Sequence, residues 1–150
     1  MDSNKYLLFT LDAFHFAIAS ENTQDVVNPH SMTHVPLANT AVLGIYNLRG
    51  KIVTNIDLRC LLSMPSAYDR KSHLLLVTQN KDEVISFPVD KVYGIIDICS
   101  SDIKPVPGNA DAAWIEHSKG IHQMDNKIVV ILDYDSLTRK IASLSSMWVG

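Results

Sequence analysis

Several things are scarce in this chain, and each scarcity closes a door. Basic residues do not outnumber acidic ones: 13 Lys and Arg stand against 16 Asp and Glu, a formal net charge of -3. A face built to hold a nucleic-acid backbone pushes that balance the other way, so no nucleic acid is expected as a partner. Long apolar runs are missing too. None approaches the roughly 20 residues that span a bilayer, so no membrane insertion is expected. The N-terminal "MDSNK" has no charged-then-apolar design, so the protein is expected to stay in the cytosol. Cysteine is limited to Cys60 and Cys99, without CxxC spacing, which reads as two free thiols in a reducing compartment. The phosphate-cradling patterns GxGxxG and GxxxxGK[ST] are absent, as are GxSxG and HExxH. No cofactor is expected.

What remains is strand language. Apolar residues make up 47% and charged residues 19%, ordinary for one globular domain or two small lobes sharing a core. "YLLFTLDAFHFAIA" alternates twice around Asp12-Ala13, a hairpin pattern. "GIYNL" and "KIVTNI" flank Arg49-Gly50, a second hairpin whose glycine takes the positive φ. "LLLVTQ", "EVISFPV" and "KVYGIIDI" continue the series, with Pro88 marking an edge or a bulge. "MPSAYDRKSH" reads as a connector. "AAWIEHSKGIHQM" and "KIVVIL" meet at a turn, Asp125-Asn126. Leu137, Ile141, Leu144 and Trp148 then fall at helical spacing, so a short closing helix is expected.

The chain also repeats itself. "KIVTNIDLRCLL" (51–62) aligns with "KIVVILDYDSLT" (127–138), and "LLFT" at Leu7 answers "LLVT" at Leu75. Two copies of one unit are the natural reading, each a set of about five short strands that closure into a small barrel would protect at its edges. Asp57 and Asp133 each end an apolar strand ahead of a possible helical turn. There a carboxylate accepts from the unpaired amides of the first turn, so both read as helix caps rather than as a catalytic pair.

Candidates for chemistry are few. His30 and His34 have i, i+4 spacing but sit between Pro29 and Pro36 with no helical period, and no third ligand is near. His117 and His122 flank Gly120 in a loop pattern. A Ser-His-Asp arrangement assembles only in the fold, and nothing in the order of residues points to one. Arg49 carries two readings. It is a solvated turn residue, or a guanidinium at a hairpin tip, free to grip a partner's carboxylates or carbonyls. Val35–Leu43, apolar without alternation, either folds back on its own unit or forms a docking patch.

One stretch adds a resemblance. "VLGIYNLRGKIVTNIDLRCLL" resembles the G-x-x-N-L-R-G-x-[IV]-x-x-x-[IV]-D-L-R segment of the chemotaxis coupling proteins, the CheW-like family. "YLLFTL…FAI", "ENTQDVV", "THVP", "FPVDKVYGIIDI" and "MDNKIVVILDYDSL" extend the likeness from about Lys5 to Ile141. It implies an all-β fold: two five-stranded SH3-like β-barrel lobes packed on a shared core, with a short C-terminal helix. Residues 1–150 form a single domain in this reading, with lobes near 20–65 and 73–140, each completed by neighbouring strands. It implies no enzyme but an adaptor that joins a chemoreceptor's cytoplasmic hairpin tip to the regulatory domain of a histidine kinase.

Carried over by position, the receptor side comprises Thr23, Gln24, Asp25, Val26, Asn47 and Arg49, and the kinase side Pro36, Leu37, Leu43 and Gly44. Thr23 stands where the family favours an apolar residue, and Asp25 where it favours glutamate, changes that weaken or redirect receptor contact. The start close to the first strand reads as a stand-alone protein, not as the matching domain of a kinase. No length remains for a receiver domain. Two rivals are kept: a divergent paralogue serving another array or a pilus-type system, and a small-ligand or metal-binding module using the histidines.

Overall fold

The computed structural model describes residues 3–36, 39–64, 73–81, 83–108 and 113–145. Ten strands and two helices follow one another: β1 (Ser3–Leu11), β2 (Phe14–Ala19), β3 (Thr23–Val27), β4 (Val42–Leu48), β5 (Lys51–Ile56), α1 (Leu58–Leu61), β6 (Leu74–Asn80), β7 (Glu83–Val89), β8 (Lys91–Cys99), β9 (Ser118–Met124), β10 (Lys127–Leu132) and α2 (Tyr134–Ser145). They make two five-stranded sheets, ordered β8-β1-β2-β10-β9 and β3-β6-β7-β5-β4. No described helix is long and apolar enough to cross a membrane.

The two orders are the same arrangement written twice. In each, a hairpin (β1–β2 or β6–β7) pairs in parallel with the strand of the KIV motif: Val130 opposite Phe16, Thr54 opposite Ile85. In each, the segment after the outer strand reaches back to the far side through one bridge. Thr33 pairs with Ile45, and Lys104 with Ile121, which draws each sheet toward a barrel. The units interleave along the chain: β3 to β7 build the second sheet, and β1, β2, β8, β9 and β10 the first.

This pairing corrects one detail of the repeat. Tyr6 lies opposite Ala19, and Leu75 opposite Pro88, so Leu75 is the counterpart of Tyr6 and Leu76 that of Leu7. The literal match of "LLFT" to "LLVT" is one residue out of register. In a strand that slip exchanges the faces. Burial agrees: Leu7 and Leu76 both enter the core between the sheets, whereas Tyr6 and Leu75 enter the interiors of their own units.

The shared core takes Leu7, Phe9 and Phe16 from one sheet and Leu76, Ile85 and Phe87 from the other. Leu58 and Leu61 of α1 and Tyr134 and Leu137 of α2 complete it. Because β1 and β6 are buried on both faces, they read as continuous apolar runs. Each of these side chains contributes about 1.5–3 kcal/mol when removed from water. Pro88 sits in an interior strand, not at an edge. Its position lies beyond the short parallel ladder to β5, which covers only Ile85 and Ser86, so Pro88 has a strand neighbour on one side alone.

Both expected caps are present. Asp57 Oδ1 accepts from Cys60 N at 3.4 Å, and Asp133 Oδ1 from Ser136 N at 3.2 Å. Each cap residue's own amide donates to the carbonyl just ahead of the preceding hairpin: Asp57 N to Ala41 O and Asp133 N to His117 O, both 2.7 Å. The closing helix is there. Leu137 and Ile141 are buried and Leu144 is half-buried; Trp148 lies outside the described residues. Residues 65–72 of the expected connector lie outside them as well.

Candidate functional site

The hairpin β4–β5 turns through Arg49 at φ 53° and Gly50 at φ 86°. Two consecutive positive φ values make the tight turn that matches strand twist. The sequence points to this freedom at Gly50; the structure demands it of Arg49 too, which as a non-glycine residue adopts it at some cost. Asn47 secures the turn from beneath, its Oδ1 accepting from Gly50 N at 2.9 Å. Asn47 is exposed, but its side-chain oxygen is committed to the turn.

The Arg49 side chain is largely exposed, at 74%, yet it is not free as the sequence reading has it. Its Nη1 donates to Asp25 Oδ2 at 2.8 Å. This ion pair ties the turn to β3 and fixes the guanidinium beside a groove of about 310 Å³, lined by Gln24, Asp25, Leu48, Arg49, Lys51 and Val53, with Val84 behind them. Gln24 is itself bonded to Gln79. An exposed pair of this kind contributes little to stability, about 0–1 kcal/mol, so its consequence is orientation.

Of the six receptor-side candidates, the fold brings Gln24, Asp25 and Arg49 together on the groove, with Asn47 supporting its rim. The other two take structural posts. Thr23 Oγ1 donates to Ser20 O at 2.8 Å, closing the short turn Ser20–Asn22, and Val26 packs against the shared core. Lys51, Val53 and Val84 line the groove without having been singled out. Lys51 and Val53 were within reach of the sequence, because alternation after the turn places them on one face. Val84 comes from a strand distant in the chain, and no local pattern signals it.

The kinase-side candidates lie on and before β4. Pro36 is exposed, and Leu37 falls outside the described residues. Leu43 is half-buried at a bulge, where Val42 opposes Ile56 and Gly44 already opposes Asn55. β4 thus begins at Val42, two residues earlier than "GIYNL" suggests. Gly44 is buried at φ +152°, and a Cβ there would stand 2.9 Å from Met32 Cβ and 3.0 Å from Thr33 O. Its small size admits the crossing segment, so its direct role is packing.

Arg59 is the residue that sequence reasoning passed over. It belongs to the "IDLR" motif, on α1, and is 2% exposed. Its Nη2 lies 2.9 Å from both carboxylate oxygens of Asp90 and 3.3 Å from Asp12 Oδ1. Asp90 also accepts from Asp12 N at 2.5 Å and meets His73 Nε2 at 2.9 Å. Burial alone disfavours the Asp90 charge, but the Asp12 amide and the Arg59 guanidinium outweigh it and hold the carboxyl below its usual range. Burial likewise opposes the charge on Arg59, and hydrogen bonds to Asp90 and Asp12 raise its pKa above the ordinary value. The cluster joins both units: Asp12 opens the β1–β2 turn, Asp90 links β7 to β8, and Arg59 follows β5.

The histidines do not converge. Among the described residues no three His, Cys, Asp or Glu side chains are grouped as a metal ion requires. His30 packs its ring on Tyr46 at 5.0 Å, and His34 is exposed. His117 Nδ1 lies 2.7 Å from Ser136 Oγ, a pairing that invites a hydrolase reading. However, Ser136 Oγ donates its proton to Glu116 O at 3.0 Å, so the imidazole is the donor at Nδ1 and is no base for that hydroxyl.

Known proteins agree with this architecture. The model of the CheW-like domain matches residues 5–142. A chemotaxis protein CheW from Thermotoga maritima is 28% identical over 135 residues, 90% of this chain and 87% of that protein. One from Rhizobium meliloti is 30% identical over 105 residues, 70% and 68% of the two chains. The crystal structure of the scaffolding protein TtCheW from Thermoanaerobacter tengcongensis superposes with a TM-score of 0.76 at 25% identity, covering 88% of this chain and 85% of that one.

Proposed function

Because this chain belongs to the CheW-like family, we propose that it is a non-enzymatic adaptor that couples a chemoreceptor to a chemotaxis-type histidine kinase. The observation that carries the reading is the groove beside Arg49. It holds an exposed guanidinium paired to Asp25, with polar Gln24 and Asp25 on one wall and the half-buried Leu48 giving apolar contact. A helical hairpin tip offers carboxylates, carbonyls and small apolar side chains, which such a wall can meet together. In this reading Arg49 exchanges or shares its bond to Asp25 when the receptor arrives. Of its five donors, one is engaged by Asp25, and a fork of donors remains for a planar acceptor.

The kinase regulatory domain is assigned to the segment leading into β4, with Pro36, the half-buried Leu43 and Gly44 at the bulge, and with Leu37 as the resemblance implies. The protein then works in the cytosol and is recruited to receptor arrays at the membrane through these contacts. The test is affinity capture with the tagged full chain from lysate of its own source, read by mass spectrometry. Recovery of a histidine kinase together with a coiled-coil receptor supports the reading. Recovery of neither, with tight stoichiometric zinc binding abolished by His30→Ala and His34→Ala, replaces it with the metal-binding module.

A further inference from the structure

The Arg59 cluster lies beneath an apolar groove that the proposed function does not use. The groove holds about 280 Å³ between Phe14, Phe16, Met64, Trp114, Ile128 and Val130. Phe14 and Ile128 at its mouth are each 59% exposed. Two of its walls spring from the charged cluster. Phe14 follows Asp12 by two residues, and Asp12 is held both through its carboxylate, by Arg59, and through its amide, by Asp90. Met64 donates its amide to the carbonyl of Arg59 itself at 2.8 Å. One guanidinium therefore ties together the starts of both walls, which belong to different units of the repeat.

The repeat supplies an internal comparison. Lys81 occupies the counterpart of Asp12, at the same turn position and the same φ of 55°. Asp135 on α2 occupies the counterpart of Arg59 on α1. The charges are inverted, yet no ion pair between described residues holds Lys81 or Asp135. An equivalent groove exists there, about 350 Å³ between Ile52, Thr54, Ile56, Val84, Ile141 and Leu144, without a charged tie. The fold thus builds the two grooves from counterpart strands, β2 and β10 in one and β7 and β5 in the other, and ties down only one.

We infer that the Arg59–Asp12–Asp90 cluster is a clamp that sets the spacing of Phe14 and Met64, and with it the opening of the apolar groove between them. Arg59 is buried, whereas Asp12 is 44% exposed and is the member that solvent reaches most, ahead of Asp90 at 27%. A change of charge at Asp12 is then transmitted to the groove by two short routes, one along the chain to Phe14 and one across the ion pair to Arg59 and its hydrogen bond with Met64.

Trp114 in the groove wall makes the clamp measurable. In a Trp148→Phe background the fluorescence is that of Trp114 alone, and acrylamide quenching reads its exposure. Asp12→Asn keeps the shape, tolerates the positive φ and preserves the amide bond to Asp90, removing only the charge facing Arg59. The quenching constant is expected to rise about twofold in folded Asp12→Asn, as a local opening does, and further in Asp90→Asn. Lys81→Ala, at the untied counterpart, is expected to leave it unchanged. Equal quenching in the parent and in Asp12→Asn overturns the clamp, as does an equal rise in Lys81→Ala. Should Asp90→Asn fail to fold, the comparison of Asp12→Asn with Lys81→Ala decides alone.

Discussion

Replacing Asp90 by asparagine removes a charge and almost no volume, which makes it a sharp probe of the buried cluster. In the folded protein Asp90 faces a guanidinium that is 2% exposed, at 2.9 Å through both oxygens. Once it is neutral, Arg59 keeps only Asp12, at 3.3 Å. Leaving one partner of a buried pair uncompensated typically costs about 3–5 kcal/mol. Asp90 and Asp12 both have solvent-facing area, so the lower end, about 3 kcal/mol, is expected. For a chain of this size that corresponds to a fall in Tm of about 6–12 °C.

The pH dependence has a definite sign. The folded-state pKa of Asp90 is depressed, so its contribution is present above the unfolded value and is lost as pH falls through the folded one. Parent stability, from urea curves at stepped pH, should drop on acidification below about pH 4, and Asp90→Asn should show a shallower drop there. A variant within about 1 kcal/mol of the parent at neutral pH, with an unchanged acid profile, would refute the account of the cluster.

The remaining expectations concern local structure and the second surface. Asp57→Ala and Asp133→Ala should each lower stability by about 0.5–2 kcal/mol in chemical denaturation, with partner binding retained in the folded fraction. Gly120→Ala should be the most damaging glycine change, because its Cβ would stand 2.5 Å from Lys104 O at a φ of +145°. A loss of about 2–4 kcal/mol is expected by the same urea assay; Gly50→Ala, with open space around its Cβ, should cost less. Leu43→Asp should weaken kinase-domain binding at least about tenfold while circular dichroism stays native; loss of the fold would assign Leu43 to the core instead.

Local periodicity carried much of this architecture, and long-range chemistry carried the rest. The alternation in "KIVTNI" and "KIVVIL" and the aspartate after each are enough to foresee two strands and two caps. The registration of Leu7 with Leu76 is not, since "LLFT" and "LLVT" match best one residue away and both faces of those strands are apolar. Arg59 stayed hidden for a different reason. Its partners Asp12 and Asp90 lie 47 and 31 residues away, so no window of sequence holds the cluster. Arg49 was visible as a misfit at a turn tip. Its bond to Asp25 was not, because β3 and the β4–β5 turn meet only through the sheet.

The central claim is that the Arg49 groove receives the chemoreceptor, and one titration series tests it directly. Parent, Arg49→Lys and Arg49→Glu are each titrated calorimetrically with the receptor's signalling-tip fragment and, separately, with the kinase regulatory domain. Loss of a charge-assisted hydrogen bond costs about 1.5–3 kcal/mol, so Arg49→Glu should weaken receptor binding about ten- to a hundredfold. Arg49→Lys should weaken it less, and kinase binding and Tm should barely move, since the pair with Asp25 is exposed. An Arg49→Glu protein that binds the receptor tip as tightly as the parent would contradict the assignment and reduce Arg49 to a turn residue paired with Asp25.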